Sequence, residues 1–437
     1  MASTDPAPPP RARPVLPKLQ SPPRSPPPYE PSSEPSSEPS SASSTEPLQP
    51  DFPSKLQLQQ QPLNPKLPSQ RQQQKQQSSP LYRRIALGLC ILLIVVGIAC
   101  VLGALLVGDA RKRYGPTMPR RVLTNFPDPG LLEYNGTWYA FGTNPTQHDF
   151  NAEFHVPIAM PVNSADKSSD GSGDWHGGFF GEWKHTGRDA LPQVAMWETK
   201  RDHWAPDVIT RPDGRHVLYY SGELNIWKRH HCVGVAVSET TNPLGPYHPE
   251  FAYLACPIEH GGGIDPSAII DTDGTIYVVY KGDGNSVGRG GNCNNAIPPL
   301  KSTPLLLQKL KSDAITPDGE LVQILDRVKE DGPLVEAPNI IRSSEGVYFL
   351  FYSSHCFDSP DYDLKYATAK NIRGPYTRAK RALLKSGDYD LVSPGGATVS
   401  KDGTKIVFHA NCPEGRCMWV GAIEIKATEV NFVAPPG

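Results

Sequence analysis

The chain lacks a charge surplus. Its 437 residues carry 43 Lys and Arg against 45 Asp and Glu, a formal net charge of −2, whereas a protein that grips phosphate backbones needs a marked basic excess. Nucleic acid is therefore excluded as the main partner. A phosphate loop is missing too, because "GRGGNCNN" around Cys293 has neither the following lysine nor the helix that such a loop requires.

What the chain has in abundance is proline, unevenly placed. Of 48 prolines, 21 precede residue 85, among Ser, Gln and Glu repeats such as "PSSEPSSEPSSASSTEP". A segment of this composition cannot bury enough apolar surface to offset its ordering entropy, so residues 1–84 are expected to form a disordered cytosolic tail. "SPPRSPPP" within it suits a polyproline helix or a plain spacer and names no partner. Residues 85–108, "IALGLCILLIVVGIACVLGALLVG", carry no charge; at ~1.5 Å of rise per residue they can cross a hydrocarbon core of roughly 30 Å. The run is too long and too far along the chain for a cleavable leader, whose apolar core is about 7–15 residues. It reads as one transmembrane helix, followed by a basic linker over 109–121. Arg83 and Arg84 flank one end and Arg111, Lys112 and Arg113 the other, so the positive-inside rule does not orient it.

Cysteine orients it instead. Cys90 and Cys100 lie inside the run, while Cys232, Cys256, Cys293, Cys356, Cys412 and Cys417 all follow it. An even number confined to the folded part fits disulfides in an oxidising compartment, with "CPEGRC" a short-loop pair; six buried free thiols are the alternative. "NGT" at Asn135 matches a glycosylation acceptor and, as the favoured reading, a type I′ hairpin turn. A single-pass type II membrane protein follows, with its C-terminal domain extracellular or in the secretory lumen.

That domain, residues 122–437, is built on a repeat. Proline, apolar run, turn and second apolar run recur as "DPGLLEYNGTWYAFG" at Pro129, "APDVITRPDGRHVLYYSG" at Pro206, "DPSAIIDTDGTIYVVYKG" at Pro266, "APNIIRSSEGVYFLFYSS" at Pro338 and "SPGGATVSKDGTKIVFHA" at Pro394. Each unit has a β-hairpin signature. Further runs lie between units, and "TTNPLGPY" and "NIRGPY" end alike at Tyr247 and Tyr376, so four strands per unit are expected. A small sheet cannot cover its own faces and must stack on its neighbours. Five such units stacked radially give an all-β, five-bladed β-propeller, with the first strand of each blade lining a central channel; a sandwich or a linear solenoid would not need the fivefold hairpin.

The residues just before the repeat prolines then share one rim of the channel. They include Asp128, Asp265 and Glu336, against Trp204 and Ala205, and Val392 and Ser393, in the other two units. Taken singly, an acid before a proline is a turn residue. Three acids crowded together repel, so at least one is expected to hold a proton toward neutrality beside one that stays ionised. That pairing cleaves a glycosidic bond.

At these residues the sequence resembles glycoside hydrolase family 43. "FPDPG" with "TWYAFGT", "HWAPDV", "GIDPSAIIDTDGTIYVVY" and "VEAPNIIRSSEGVYFLFYSS" look like that family's successive blade openings, in its order, over nearly all of 122–437. The resemblance implies Asp128 as general base, Asp265 as the residue that orients the acid and tunes its proton affinity, and Glu336 as general acid. It implies inverting hydrolysis of α-L-arabinofuranosyl or β-D-xylosyl linkages in polysaccharides, with Asp265 ionised and Glu336 protonated. No cofactor and no metal are called for. The fifth unit departs from the family's Gly-His pair with "SPGG", Gly395 and Gly396, which argues against a channel ion and leaves His409 as a strand residue. Trp204 is a candidate for stacking on a sugar or for packing between blades; Asp207 either binds a hydroxyl or fixes its hairpin. His230 and His231 point to opposite faces of a strand and do not share an ion. The stretch from Gly142 to Trp197, rich in Ser, Gly and Asp, reads as the outer strands of blade one with a surface insertion. A carbohydrate-binding propeller that has lost catalysis is the alternative function; a fructan-cleaving relative is disfavoured because "FPDPG" stands in place of Asn-Asp-Pro-Asn.

Overall fold

The computed structural model describes residues 119–144, 154–162 and 178–435, together with residues 84, 85, 87–89 and 91–98, which are helical and exposed. Contacts divide the chain into Met1–Ser78 and Ser79–Gly437; the first unit, the basic linker and much of the insertion lie outside the described residues. Among the described residues no helix is long and apolar enough to cross a membrane, and residues 99–108 of the expected span lie outside them.

From residue 119 on, β-branched and aromatic runs separated by Gly-containing turns form strands β1 to β22. Blade 1 is β2 (Gly130–Tyr134), β3 (Thr137–Phe141), β4 (Pro157–Pro161) and β5 (Trp183–Asp189). Blade 2 is β6 (Trp204–Thr210), β7 (His216–Glu223), β8 (His231–Ser238) and β9 (Tyr247–Pro249). Blade 3 is β10 (Gly263–Ile270), β11 (Ile276–Gly282), β12 (Leu305–Leu310) and β13 (Val322–Leu325). Blade 4 is β14 (Val335–Arg342), β15 (Tyr348–Ser354), β16 (Asp363–Ala369) and β17 (Thr377–Arg378), with β18 (Leu384–Lys385) also on β16. Blade 5 is β19 (Gly395–Val399), β20 (Lys405–Cys412) and β21 (Gly415–Lys426), to which both β22 (Glu429–Val433) and the N-terminal β1 (Arg120–Leu123) pair. All pairings are antiparallel.

The first and last strands of the propeller thus meet in one sheet, and β1 closes the ring. It begins at Arg120, two residues before the domain boundary that the sequence suggests. The hairpins of blades 2 to 5 share one turn: in blade 3 the Gly274 N–H donates to the Asp271 carbonyl at 2.9 Å. Gly274 has φ of 84°, a conformation that glycine reaches without steric cost.

The core is divided between blades. One buried cluster joins Leu132 and Phe141 to Leu218 and Tyr220; the next joins Val217 and Tyr219 to Val278 and Tyr280. A third joins Val279 and Leu307 to Leu350 and Tyr352, a fourth Phe349 and Phe351 to Ile406 and Phe408. The fifth, Val407, Met418 and Val420 with Phe126 and Leu131, returns to blade 1. No blade buries its faces alone; at roughly 1.5–3 kcal/mol per buried large apolar side chain, most of the stabilisation lies between blades. Three disulfides, Cys232–Cys256, Cys293–Cys356 and Cys412–Cys417, use all six cysteines of the propeller.

Candidate active site

The rim is shaped by a backbone conformation that recurs at every blade. The residue before each repeat proline has positive φ: 48° at Asp128, 42° at Ala205, 55° at Asp265, 49° at Ala337 and 51° at Ser393. Asp tolerates this region, but for Ala it costs on the order of 1–3 kcal/mol and persists only where the surroundings enforce it. In blades 2 to 5 the pairing register then skips, between Trp204 and Asp207, Ile264 and Ser267, Glu336 and Asn339, and Gly395 and Thr398. Asp128, Ala205, Asp265, Ala337 and Gly396 come together around a cavity of about 30 Å³, room for roughly one water.

Asp128 is the most firmly held of the acids. Its Oδ1 accepts from Arg416 Nη1 at 2.8 Å and lies 3.0 Å from His409 Nδ1; its Oδ2 accepts from Thr143 Oγ1 at 2.6 Å. Thr143 is fixed in turn by accepting the Ala205 N–H at 2.8 Å. Burial alone would raise the proton affinity of Asp128, but Arg416 and His409 outweigh it and hold the carboxyl well below its usual range. Asp128 is therefore held in its ionised form. His409 is fully buried, and burial, followed by the charge of Arg416, lowers its own proton affinity.

Asp265 stands at the equivalent place in blade 3 and is treated oppositely. Its Oδ2 accepts the Ala337 N–H at 2.9 Å, and its own N–H donates to Ser221 Oγ at 2.9 Å. It therefore fastens the peptide next to Glu336. Burial and then the charge of Glu336 push its carboxyl up to about 7. Glu336, 9% exposed, accepts from Lys281 Nζ at 3.1 Å through Oε2. The Asp265–Glu336 pair thus keeps a proton to near neutrality. Lys281 opposes that rise at Asp265 and stands beside Glu336.

The other predicted residues lie close by. Trp204, half-buried, stacks on His231 with ring centroids 3.7 Å apart, an internal contact. Burial and then His203 lower the His231 imidazole to about 3. Asp207 points into the channel, where its Oδ2 accepts the Ala268 N–H at 2.7 Å from blade 3; burial pushes it up to about 6. It joins blades 2 and 3 below the rim, a linking role beyond its own hairpin.

Three site residues escape the sequence reading. Arg416 sits between Cys412 and Cys417, in a β20–β21 hairpin closed by their disulfide. His409 is on β20 as expected, yet its ring fills the space beside Gly396: a Cβ at Gly396 would meet the ring at 2.6 Å and Asp128 Oδ1 at 2.9 Å. The absence of a histidine in "SPGG" is therefore answered by one from the neighbouring strand. Among the described residues His409 belongs to no group of three or more His, Cys, Asp or Glu ligand atoms lying close together. Lys281 is the third. A signal was present: when the five units are aligned, the residue one before the end of each quoted run is Phe141, Ser221, Lys281, Ser353 and His409, and the two that stand out chemically both touch the acids.

A five-bladed propeller carrying three carboxylates from three blades on one channel rim defines a class, the propeller enzymes that cleave glycosidic bonds. The sequence places the chain within it: residues 122–429 match the model for glycosyl hydrolases family 43, and the chain belongs to that family and is a glycoside hydrolase. It is 24% identical over 294 residues to extracellular endo-α-(1→5)-L-arabinanase 1 of Bacillus subtilis, covering 65% of this chain and 79% of that protein. To the β-xylosidase of Xylanibacter ruminicola it is 26% identical over 263 residues, 56% of this chain and 75% of the other. The β-D-galactofuranosidase xynD of Aspergillus niger is 25% identical over 291 residues, 62% and 74%. A crystal structure of a thermostable family-43 glycoside hydrolase superposes with a TM-score of 0.57 at 22% identity, over 74% of this chain and 97% of that one, which supports the fold.

Proposed function

We propose that this glycoside hydrolase cleaves α-L-arabinofuranosyl or β-D-xylosyl linkages of polysaccharides by single displacement with inversion. Glu336 protonates the leaving oxygen, Asp128 takes a proton from the attacking water, and Asp265 orients Glu336 and shares its proton. An inverting site needs its two carboxyls about 6.5–9.5 Å apart, so that water fits between sugar and base. The observation that carries the reading is the pairing of a carboxylate held ionised by Arg416 with a carboxyl pair that keeps a proton near pH 7. The sugars are suggested by the arabinanase and xylosidase names of the relatives.

Hydrolysis of arabino- and xylo-oligosaccharides and of the corresponding aryl glycosides by the full chain, with Glu336→Gln beside it, tests this. An aryl leaving group needs little protonation, so the variant should lose about 10²–10⁴-fold on oligosaccharides and far less on aryl glycosides. Equal losses on both would remove Glu336 from the acid role; no turnover by folded wild type that still binds arabinoxylan would favour a binding propeller. We also infer a type II membrane anchor at 85–108 with the propeller on the non-cytosolic side, supported by its three disulfides. Protection of the propeller from protease in sealed vesicles is the expected outcome, and digestion there would reject it.

A further inference from the structure

The second strand of a blade ends on a residue that faces the start of the next blade. Ser221, Lys281 and Ser353 each pair with the residue two before their own repeat proline, namely Trp204, Ile264 and Glu336. Ser221 accepts the Asp265 N–H at 2.9 Å and Ser353 accepts the Gly396 N–H at 3.0 Å. A short hydroxyl is all that these two junctions use. Blade 3 carries a lysine instead, and the Ala337 N–H of the next blade is taken by Asp265 Oδ2. Lys281 is therefore free of the junction's ordinary task.

Its side chain is nonetheless fully buried, which is costly for an ammonium unless it is paired. The pairing is specific: Nζ donates to Glu336 Oε2 at 3.1 Å and lies 3.6 Å from Asp283 Oδ1. Asp283 is 3% exposed and its Oδ1 has no hydrogen-bond partner; burial raises its proton affinity, and the nearby Lys281 charge opposes that rise. Although burial works against its charge, Glu336, Asp283 and Asp265 together raise the proton affinity of Lys281 and keep it cationic.

We propose that Lys281, anchored by Asp283, is a positioning residue for Glu336: it holds the carboxyl between blades 3 and 4 and supplies a cation that offsets the crowding of Asp265 and Glu336. This rests on Glu336 being the acid. The groups facing the pair are Lys281 and Asp283 from blade 3, Tyr362 from blade 4, His409 from blade 5 and Asp128 from blade 1, with His230 of blade 2 reaching Asp283. Lys281 is the cation that touches Glu336 directly. Without it the pair is more negative by one charge and binds its proton more tightly. Without Asp283 the pair binds it less tightly, and without both the charge balance is restored although the anchor is lost.

The test is the pH dependence of kcat/KM for the full chain on an oligosaccharide that wild type cleaves, in Lys281→Met, Asp283→Asn and the double variant. The protonated pair is the active form, so Lys281→Met should move the alkaline limb up by about one to three pH units, the effect of a unit charge a few ångströms away. Asp283→Asn should move it down. The double variant should return the limb close to wild type while kcat stays about tenfold low or lower, because the acid has lost its support. Limbs that coincide within about 0.3 unit across all the variants would overturn the proposal and leave the hydrolase reading standing. Infrared titration of the protonated carboxyl stretch reads the same proton without turnover. An unmoved titration overturns the proposal even where nothing is cleaved; shifted titrations with no turnover by folded wild type would instead overturn the hydrolase reading. If Lys281→Met does not fold, the nearly isosteric Asp283→Asn decides alone.

Discussion

Asp128 and Asp265 occupy the same place in their blades. Each precedes the repeat proline, each has a φ near 50°, and each reaches the same cavity. Yet the first is held ionised and the second is pushed up to about 7. The difference is in what stands opposite. Blade 5 offers Asp128 a guanidinium at 2.8 Å and an imidazole at 3.0 Å, while blade 4 offers Asp265 another carboxyl and a peptide N–H. A symmetric scaffold thus gives two equivalently placed carboxyls opposite proton affinities by varying the neighbour and leaving the position unchanged, the kind of difference that lets two carboxyls in one cleft divide acid and base work.

The comparison breaks most visibly in turnover. Asp128→Asn removes the base and should lower kcat on oligosaccharides by about 10²–10⁴-fold. Asp265→Asn should cost less, because Glu336 survives, with the alkaline limb displaced; equal losses and unchanged limbs would erase the distinction between the two. A smaller effect follows from Arg416→Met. Without the guanidinium Asp128 holds a proton more readily, so the acid limb of kcat/KM should rise by about one to three pH units; an unmoved acid limb would show that Arg416 does not set the state of the base.

Stability carries the smallest effect, with opposite signs. The folded-state affinity of Asp265 is raised above that of the unfolded chain, so the native protein binds more protons there and stability falls as pH rises from about 4 through about 7. Asp128 is depressed, so its contribution is present above about 4 and is lost as pH falls through its folded value. At pH 8 Asp265→Asn should therefore stabilise the fold and Asp128→Asn destabilise it, each on the order of 1 kcal/mol or more by chemical denaturation. Changes of the same sign would mean that the two carboxyls do not differ as described.

The repeat was legible because its punctuation is local. Proline, hairpin turn and β-branched run each act within a few residues, so five blades and the three rim acids could be read along the chain. What could not be read is what depends on register between strands and contact between blades. Arg416 reaches Asp128 across 288 residues and Lys281 reaches Glu336 across 55. The left-handed conformation at Ala205 and Ala337 has no compositional mark, since alanine gains nothing from it and only the surrounding fold imposes it. Residues 99–108 of the expected span and much of the blade 1 insertion fall outside the described residues, and the anchor stays a proposal.

The most direct measurement is the anomeric configuration of the first sugar released from an oligosaccharide, followed by proton NMR before mutarotation equilibrates it. Asp128 acting on water and Glu336 on the leaving oxygen predict the inverted anomer as the first product. Appearance of the retained anomer first would mean that a carboxylate attacks the sugar directly, and would contradict the division of labour between Asp128 and the Asp265–Glu336 pair.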